Sequence, residues 1–118
     1  MTPGPGAAAR DSPARDGPAR HEVPAIDAAA LLAARWADRL LDAARERGSA
    51  RWAAFLEPLP DRLRDEGVAA LRATALRARA AYGPKDSIRD VLPPDVTEPF
   101  REAIDRLLKE LARREVAG

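Results

Sequence analysis

Apolar residues recur at three- and four-residue steps from Asp27 almost to the end of the chain, and no segment alternates apolar with polar residues as a half-buried strand would. The pattern predicts an all-α fold, a small bundle of four to five helices over about residues 26 to 116 within a helical domain 25–118. Asp27 caps the first predicted helix; Leu32, Trp36 and Leu40, with Leu41 and Ala44 beside them, form its apolar face. Arg35, Asp38, Arg39 and Asp42 fall opposite, and Gly48 follows Arg45, Glu46 and Arg47 as a C-terminal stop.

Ser49 is placed to cap a short second helix with Trp52, Phe55 and Leu56 on one side, which Pro58 and Pro60 interrupt. Pro60 suits the first turn of a further helix, with Asp61 near its positive end and Leu59 and Leu63 facing the same way. Gly67 either kinks or breaks the helical pattern. From Val68 to Tyr82 a helix is expected with Val68, Leu71, Ala75, Ala78 and Tyr82 on one face, ended by Gly83 and Pro84. Ser87 with Asp90 three residues later reads as a capping box for one short turn through Ile88, Val91 and Leu92, before Pro93 and Pro94.

The last helix is expected to begin near Thr97, with Pro99 in its first turn. Phe100, Ile104, Leu107, Leu108 and Leu111 run along it at near-heptad spacing. Glu102 with Arg106, Asp105 with Lys109 and Glu110 with Arg114 are each four apart in the favourable order. The buried set expected from these patterns is Trp52, Phe55, Leu63, Leu71, Tyr82, Ile88, Ile104, Leu107 and Leu111.

Residues 1–24 break from this pattern. They hold five of the 11 prolines and three of the 7 glycines, a short Ala-Arg-Asp-Ser-Pro and Ala-Arg-Asp-Gly-Pro repeat, and no periodic apolar face. Ordering such a segment would not repay its entropy, so a disordered Pro/Gly/Ala-rich tail is expected. A misplaced translation start is an alternative account of it.

Composition narrows the chemistry. The 118 residues include no cysteine, asparagine or glutamine and a single histidine, His21, which stands in the proline-rich stretch and is read as solvated. Nucleophile-and-histidine constellations cannot be assembled within one subunit, and neither a metal site nor a cofactor site is expected. Hydrophobic burial is the only source of stability, and much of the 46% hydrophobic content is alanine. The longest apolar run, Ala28 to Ala34, is short of the roughly twenty residues of a membrane span, so no membrane association and a cytoplasmic location are the default expectations.

A net charge of +1 argues against a polybasic nucleic-acid arm, yet one segment is locally basic. No acid lies between Glu66 and Asp86, whereas Arg72, Arg77, Arg79 and Lys85 do. Arginines at a helix C-terminus complement the macrodipole; the same set is also suited to an anionic partner. The expected contact surface is Arg72, Arg79, Tyr82, Lys85 and Arg89, residue types that carry interface energy, presented beside a proline-fixed turn. The function expected is a small helical protein-interaction module, binding another protein or its own copy.

Two alternatives come from other classes. A DNA-binding regulator would use the basic helix 68–82, although no amide side chain is present to read adenine. A carboxylate-metal phosphohydrolase would need converging acids; Glu57, Asp61 and Asp65 are separated by the proline break, and Asp86 and Asp90 are explained as caps. No catalytic residue is assigned, and the chain is expected not to be an enzyme.

The order Gly48 with Trp52, then Leu63, then Tyr82-Gly83-x-x-Asp86-Ser87-Ile88-x-Asp90, then a terminal helix with Phe100 and Leu107, resembles an uncharacterised bacterial family of short all-helical proteins. The resemblance covers roughly residues 30 to 111 of the chain. That family's turn runs Tyr-Gly-Gly-Met-Gly-Ser-Leu-x-Asp; Gly83 and Ser87 agree with it, whereas Pro84, Lys85 and Asp86 depart. The resemblance implies a small accessory or toxin-neutralising protein.

Overall fold

The computed structural model describes residues 19–117, with side chains as far as residue 114. Five α-helices occur among the described residues: α1 (Pro24–Glu46), α2 (Ala50–Leu56), α3 (Leu59–Asp65), α4 (Val68–Arg79) and α5 (Pro94–Ala117), with single 3₁₀ turns at Arg20–Glu22, Ala80–Tyr82 and Ile88–Asp90. The all-α class is as expected from the periodicity. Of the tail expected over residues 1–24, residues 1–18 lie outside the described residues, and the remainder is structured. Arg20–Glu22 form a turn, and Pro24, not Asp27, opens α1. Proline at the first helical position has no N–H to leave unsatisfied and a φ already suited to the helix, so it initiates here.

Arg20 fastens that start to the bundle. Its Nε donates to Asp27 Oδ1 at 2.8 Å, and its Nη1 donates to the carbonyls of Leu63 at 2.7 Å and Glu66 at 3.2 Å. Asp27 thus serves as the arginine's partner in the first turn of α1, and the guanidinium supplies donors to carbonyls at the end of α3.

The inner face of α1 is rotated from the one expected. Ile26, Ala29, Ala30, Ala33, Ala34, Ala37, Leu40, Leu41 and Ala44 are buried, whereas Leu32 is 43% exposed and Trp36 only half-buried beneath the Arg39 guanidinium. A helix faced with alanine can bring its axis close to its neighbours, and α1 packs against α5, α3 and α2 at once. Three neighbours need a wide apolar face, which the alanines provide and the narrower leucine and tryptophan line does not. Asp38, expected on the solvent face, is half-buried and accepts from Arg64 across on α3.

The α1 to α2 corner follows the local chemistry. Gly48 has φ +69°, its N–H donates to the Arg45 carbonyl at 3.0 Å, and the Ser49 N–H reaches back to the Ala44 carbonyl at 2.9 Å, a Schellman stop. Ser49 Oγ accepts from the Trp52 N–H at 3.4 Å and caps α2. Gly67, extended at φ −70° and ψ 168°, is the N-cap of α4, so it separates two helices rather than kinking one.

Helix α5 begins at Pro94, three residues before the expected start, because the N–H groups of Val96 and Thr97 already bond to the Pro93 carbonyl. Pro99 therefore sits inside the helix, beyond its first turn. The stripe of Phe100, Ala103, Ile104, Leu107 and Leu111 is buried. The acids of this helix pair differently from expected: Asp105 takes Arg101 at 3.2 Å and Glu110 takes Arg106 at 3.3 Å, each with the arginine four residues before the acid, and Glu110 also takes Arg113, three residues after it, at 3.3 Å. Helices α1 and α5 are antiparallel. The Arg47 guanidinium at the end of α1 donates to the Val91 carbonyl just before α5. At the other end, Val23, Pro24 and Ile26 share a cleft of about 290 Å³ with Glu110 and Arg113.

Every residue of the expected buried set is buried except Phe55, which is half-buried and packed against the core. No helix among the described residues is long and apolar enough to cross a membrane.

Candidate functional site

The turn after α4 and the outer face of that helix hold the residues expected to form a contact surface, and the structure divides them into two groups. Tyr82 closes the 3₁₀ turn that continues α4 and is only 8% exposed. Its hydroxyl donates to the Thr97 carbonyl at 2.6 Å, joining this turn to α5. The guanidiniums of Arg79 and Arg89 stand 5.7 and 5.3 Å from its ring centroid. Burial, with the Glu98 carboxylate adding to it, pushes the phenol pKa above its ordinary value.

Both arginines are also held by acids of α5. Arg89 donates to both oxygens of Glu98, at 2.7 and 3.0 Å; Glu98 accepts from Arg101 at 3.3 Å; Arg101 reaches Asp105 at 3.2 Å; Asp105 accepts from Arg79 at 2.8 Å. Three arginines and two carboxylates thus form a continuous rail beside the tyrosine. The Arg89 turn is held in place by the expected capping box: Ser87 Oγ accepts from the Arg89 N–H, and the Ser87 N–H donates to Asp90 Oδ2, each at 3.1 Å. Asp86 enters it with φ +53°, a left-handed conformation that aspartate tolerates better than most side chains.

The rail has a pH signature. The hydrogen bonds from Arg89 hold the Glu98 carboxyl below its ordinary value, against partial desolvation and with help from Arg101, while the same bond raises the Arg89 guanidinium. A carboxyl with a depressed folded-state pKa adds stability that is complete above its unfolded value and is lost as pH falls through the folded one. Glu98→Gln is therefore expected to lower the melting temperature at neutral pH, by a difference that closes as both proteins are acidified below the ordinary carboxylate range. A difference constant down to about pH 3 would show that the charge of Glu98 is not what stabilises the turn.

The second group faces solvent. Ala69, Ala70, Arg72, Ala73, Leu76, Arg77 and Ala80 are exposed along α4 and the residue after it, and Lys85 is exposed in the turn. Opposite them, Val68, Leu71, Thr74, Ala75 and Ala78 are buried, and the Thr74 hydroxyl donates to Glu66. Leu76 is 49% exposed, the highest value among the large apolar side chains described. Beside it the Arg77 guanidinium lies 5.5 Å from the ring centroid of the half-buried Phe55, whose edge-to-face partner is Trp52 at 5.4 Å.

Of the five expected contact residues, the structure gathers Arg79, Tyr82 and Arg89 into a clamp against α5, with the tyrosine buried, Arg79 half-buried and Arg89 exposed, and leaves Arg72 and Lys85 on the surface apart from it. Leu76 and Arg77 were not among the expected contacts. Their signal in the sequence is a second apolar line on a helix whose first line is already committed to the core.

No protein-family model, curated protein or solved structure matches this chain.

Proposed function

We propose that this protein is a small helical interaction module that binds another protein through the outer face of α4. The observation that carries the reading is Leu76, 49% exposed at the centre of a helix face that bears arginine on both sides and no carboxylate. A large apolar side chain ringed by cations is the composition of a small protein-binding patch, with an apolar anchor and a charged rim. Tyr82 and its two arginines contribute by holding the end of α4 rigidly on α5, which limits the ordering cost of binding at that face.

The same face supports protein binding better than DNA binding. The positions nearest the start of α4 that would enter a groove are Ala69, Ala70 and Ala73, while Arg77 stacks on Phe55 and Arg79 is paired with Asp105.

The test is affinity capture from a lysate of the source organism with the wild-type protein and Leu76→Asp as baits. A partner retained by wild type after nuclease treatment, and lost with Leu76→Asp, is the expected result. Retention that vanishes with nuclease, or falls steeply with salt for a generic duplex, would overturn the proposal in favour of nucleic acid.

A further inference from the structure

We infer that the occupant of the α4 face is an acidic amphipathic helix of a partner protein, an inference that rests on the interaction reading above. Ala69, Ala73, Leu76 and Ala80 follow one another at four, three and four residues, the spacing of a coiled-coil seam, and all four are exposed. In that register the flanking positions are Arg72 and Arg79 on one side and Arg77 on the other. These are the places from which charges on paired helices choose their partner. All three are cations; Arg79 shares the Asp105 carboxylate with Arg101 in a rail of three arginines and two carboxylates, so the face keeps an excess of positive charge and a partner helix gains by carrying glutamate or aspartate along its own flanks.

The same arrangement disfavours a second copy of this chain, because two α4 helices packed seam to seam would set arginine flanks against arginine flanks. It also defines the size and texture of the partner. The seam runs from Ala69 to Ala80, about 16 Å at the rise of an α-helix, and ends where Gly67 caps one side and the 3₁₀ turn begins on the other. A partner segment of about three turns covers it. Since this side offers a shelf of alanines around one leucine, the partner supplies the bulk with leucine, methionine or phenylalanine at its seam positions. The half-buried Phe55 under Arg77 extends the apolar floor along one flank.

The experiment titrates the full chain with a synthetic helical peptide of about three heptads, leucine at the seam and glutamate at the flanking positions. It runs beside a lysine-flanked version and a composition-matched scramble. The expected result is saturable binding of the glutamate peptide with one peptide per protein, weakened by about tenfold or more for the lysine version and for Leu76→Asp. Arg77→Glu should weaken the glutamate peptide and strengthen the lysine one, a reversal that unfolding cannot produce. Ala73→Glu, on the exposed seam, serves as a second variant, with helical circular dichroism confirming that each variant folds.

Equal binding of the scramble, no binding of the glutamate peptide, or a dimer in sedimentation that Leu76→Asp dissociates would overturn the inference. So would salt-sensitive binding of duplex DNA through the same face. If a nuclease-resistant partner still depends on Leu76 while the glutamate peptide fails, the helical-partner inference falls and the interaction module stands. If no association depends on Leu76, both fall.

Discussion

Leu107→Ala is expected to cost about 2–5 kcal/mol of stability, toward the upper part of that range, and to lower the melting temperature on the order of 10 °C or more. Leu107 is 0% exposed in the inner stripe of α5, the helix that packs most extensively on α1. The cost of deleting buried carbons depends on how far the surroundings can collapse into the space. The inner face of α1 is mostly alanine, which has no side-chain rotamers with which to fill a void, so relaxation would require backbone movement. Thermal and urea unfolding of the two proteins checks this. A loss below about 1 kcal/mol would show that α1 and α5 close up freely, contrary to an alanine-faced contact.

The second large effect has the opposite chemistry. Ala34→Leu adds apolar volume and keeps a good helix former, so by composition alone it is neutral to stabilising. It is expected instead to destabilise by about 1–3 kcal/mol, because Ala34 is 0% exposed on the face of α1 that serves three neighbouring helices. The control is Ala28→Leu on the exposed face of the same helix, expected within about 0.5 kcal/mol of wild type. Equal effects of the two substitutions in chemical denaturation would contradict close approach as the role of the alanines.

The two substitutions separate what residue type conveys from what position conveys. Periodicity identified α5 and the inner face of α4: the lines of Phe100, Ile104, Leu107 and Leu111, and of Val68, Leu71, Ala75 and Ala78, are both buried. In α1 the four-residue recurrence points to Leu32 and Trp36, whereas the buried line is the alanine one. Alanine carries little hydrophobic area, but it is the residue that permits close helix approach, and which line it serves depends on neighbours far along the chain.

Capping was legible wherever it is local. The Schellman stop at Gly48, the cap at Ser49 and the box of Ser87 and Asp90 all form within a few residues of sequence. The starts of α1 and α5 lie before the expected ones because proline, which breaks a helix interior, initiates a helix start, as Pro24 and Pro94 do here.

The candidate site shows the same division. The sequence by itself determined a helical chain without thiols or side-chain amides, a cationic segment free of acids from Gly67 to Lys85, and the turn chemistry that ends α4 and restarts at Ser87. Only the tertiary structure decided the fate of those cations. Asp105 and Glu98 lie 26 and 9 residues from the arginines they bind, Arg79 and Arg89, and the Thr97 carbonyl lies 15 residues from the Tyr82 hydroxyl. Packing α4 on α5 withdrew the tyrosine from solvent, enclosed it between two paired arginines and turned Leu76 outward. A helical period specifies which residues share a face; which of two apolar faces is covered depends on the area each buries against helices brought beside it by the fold.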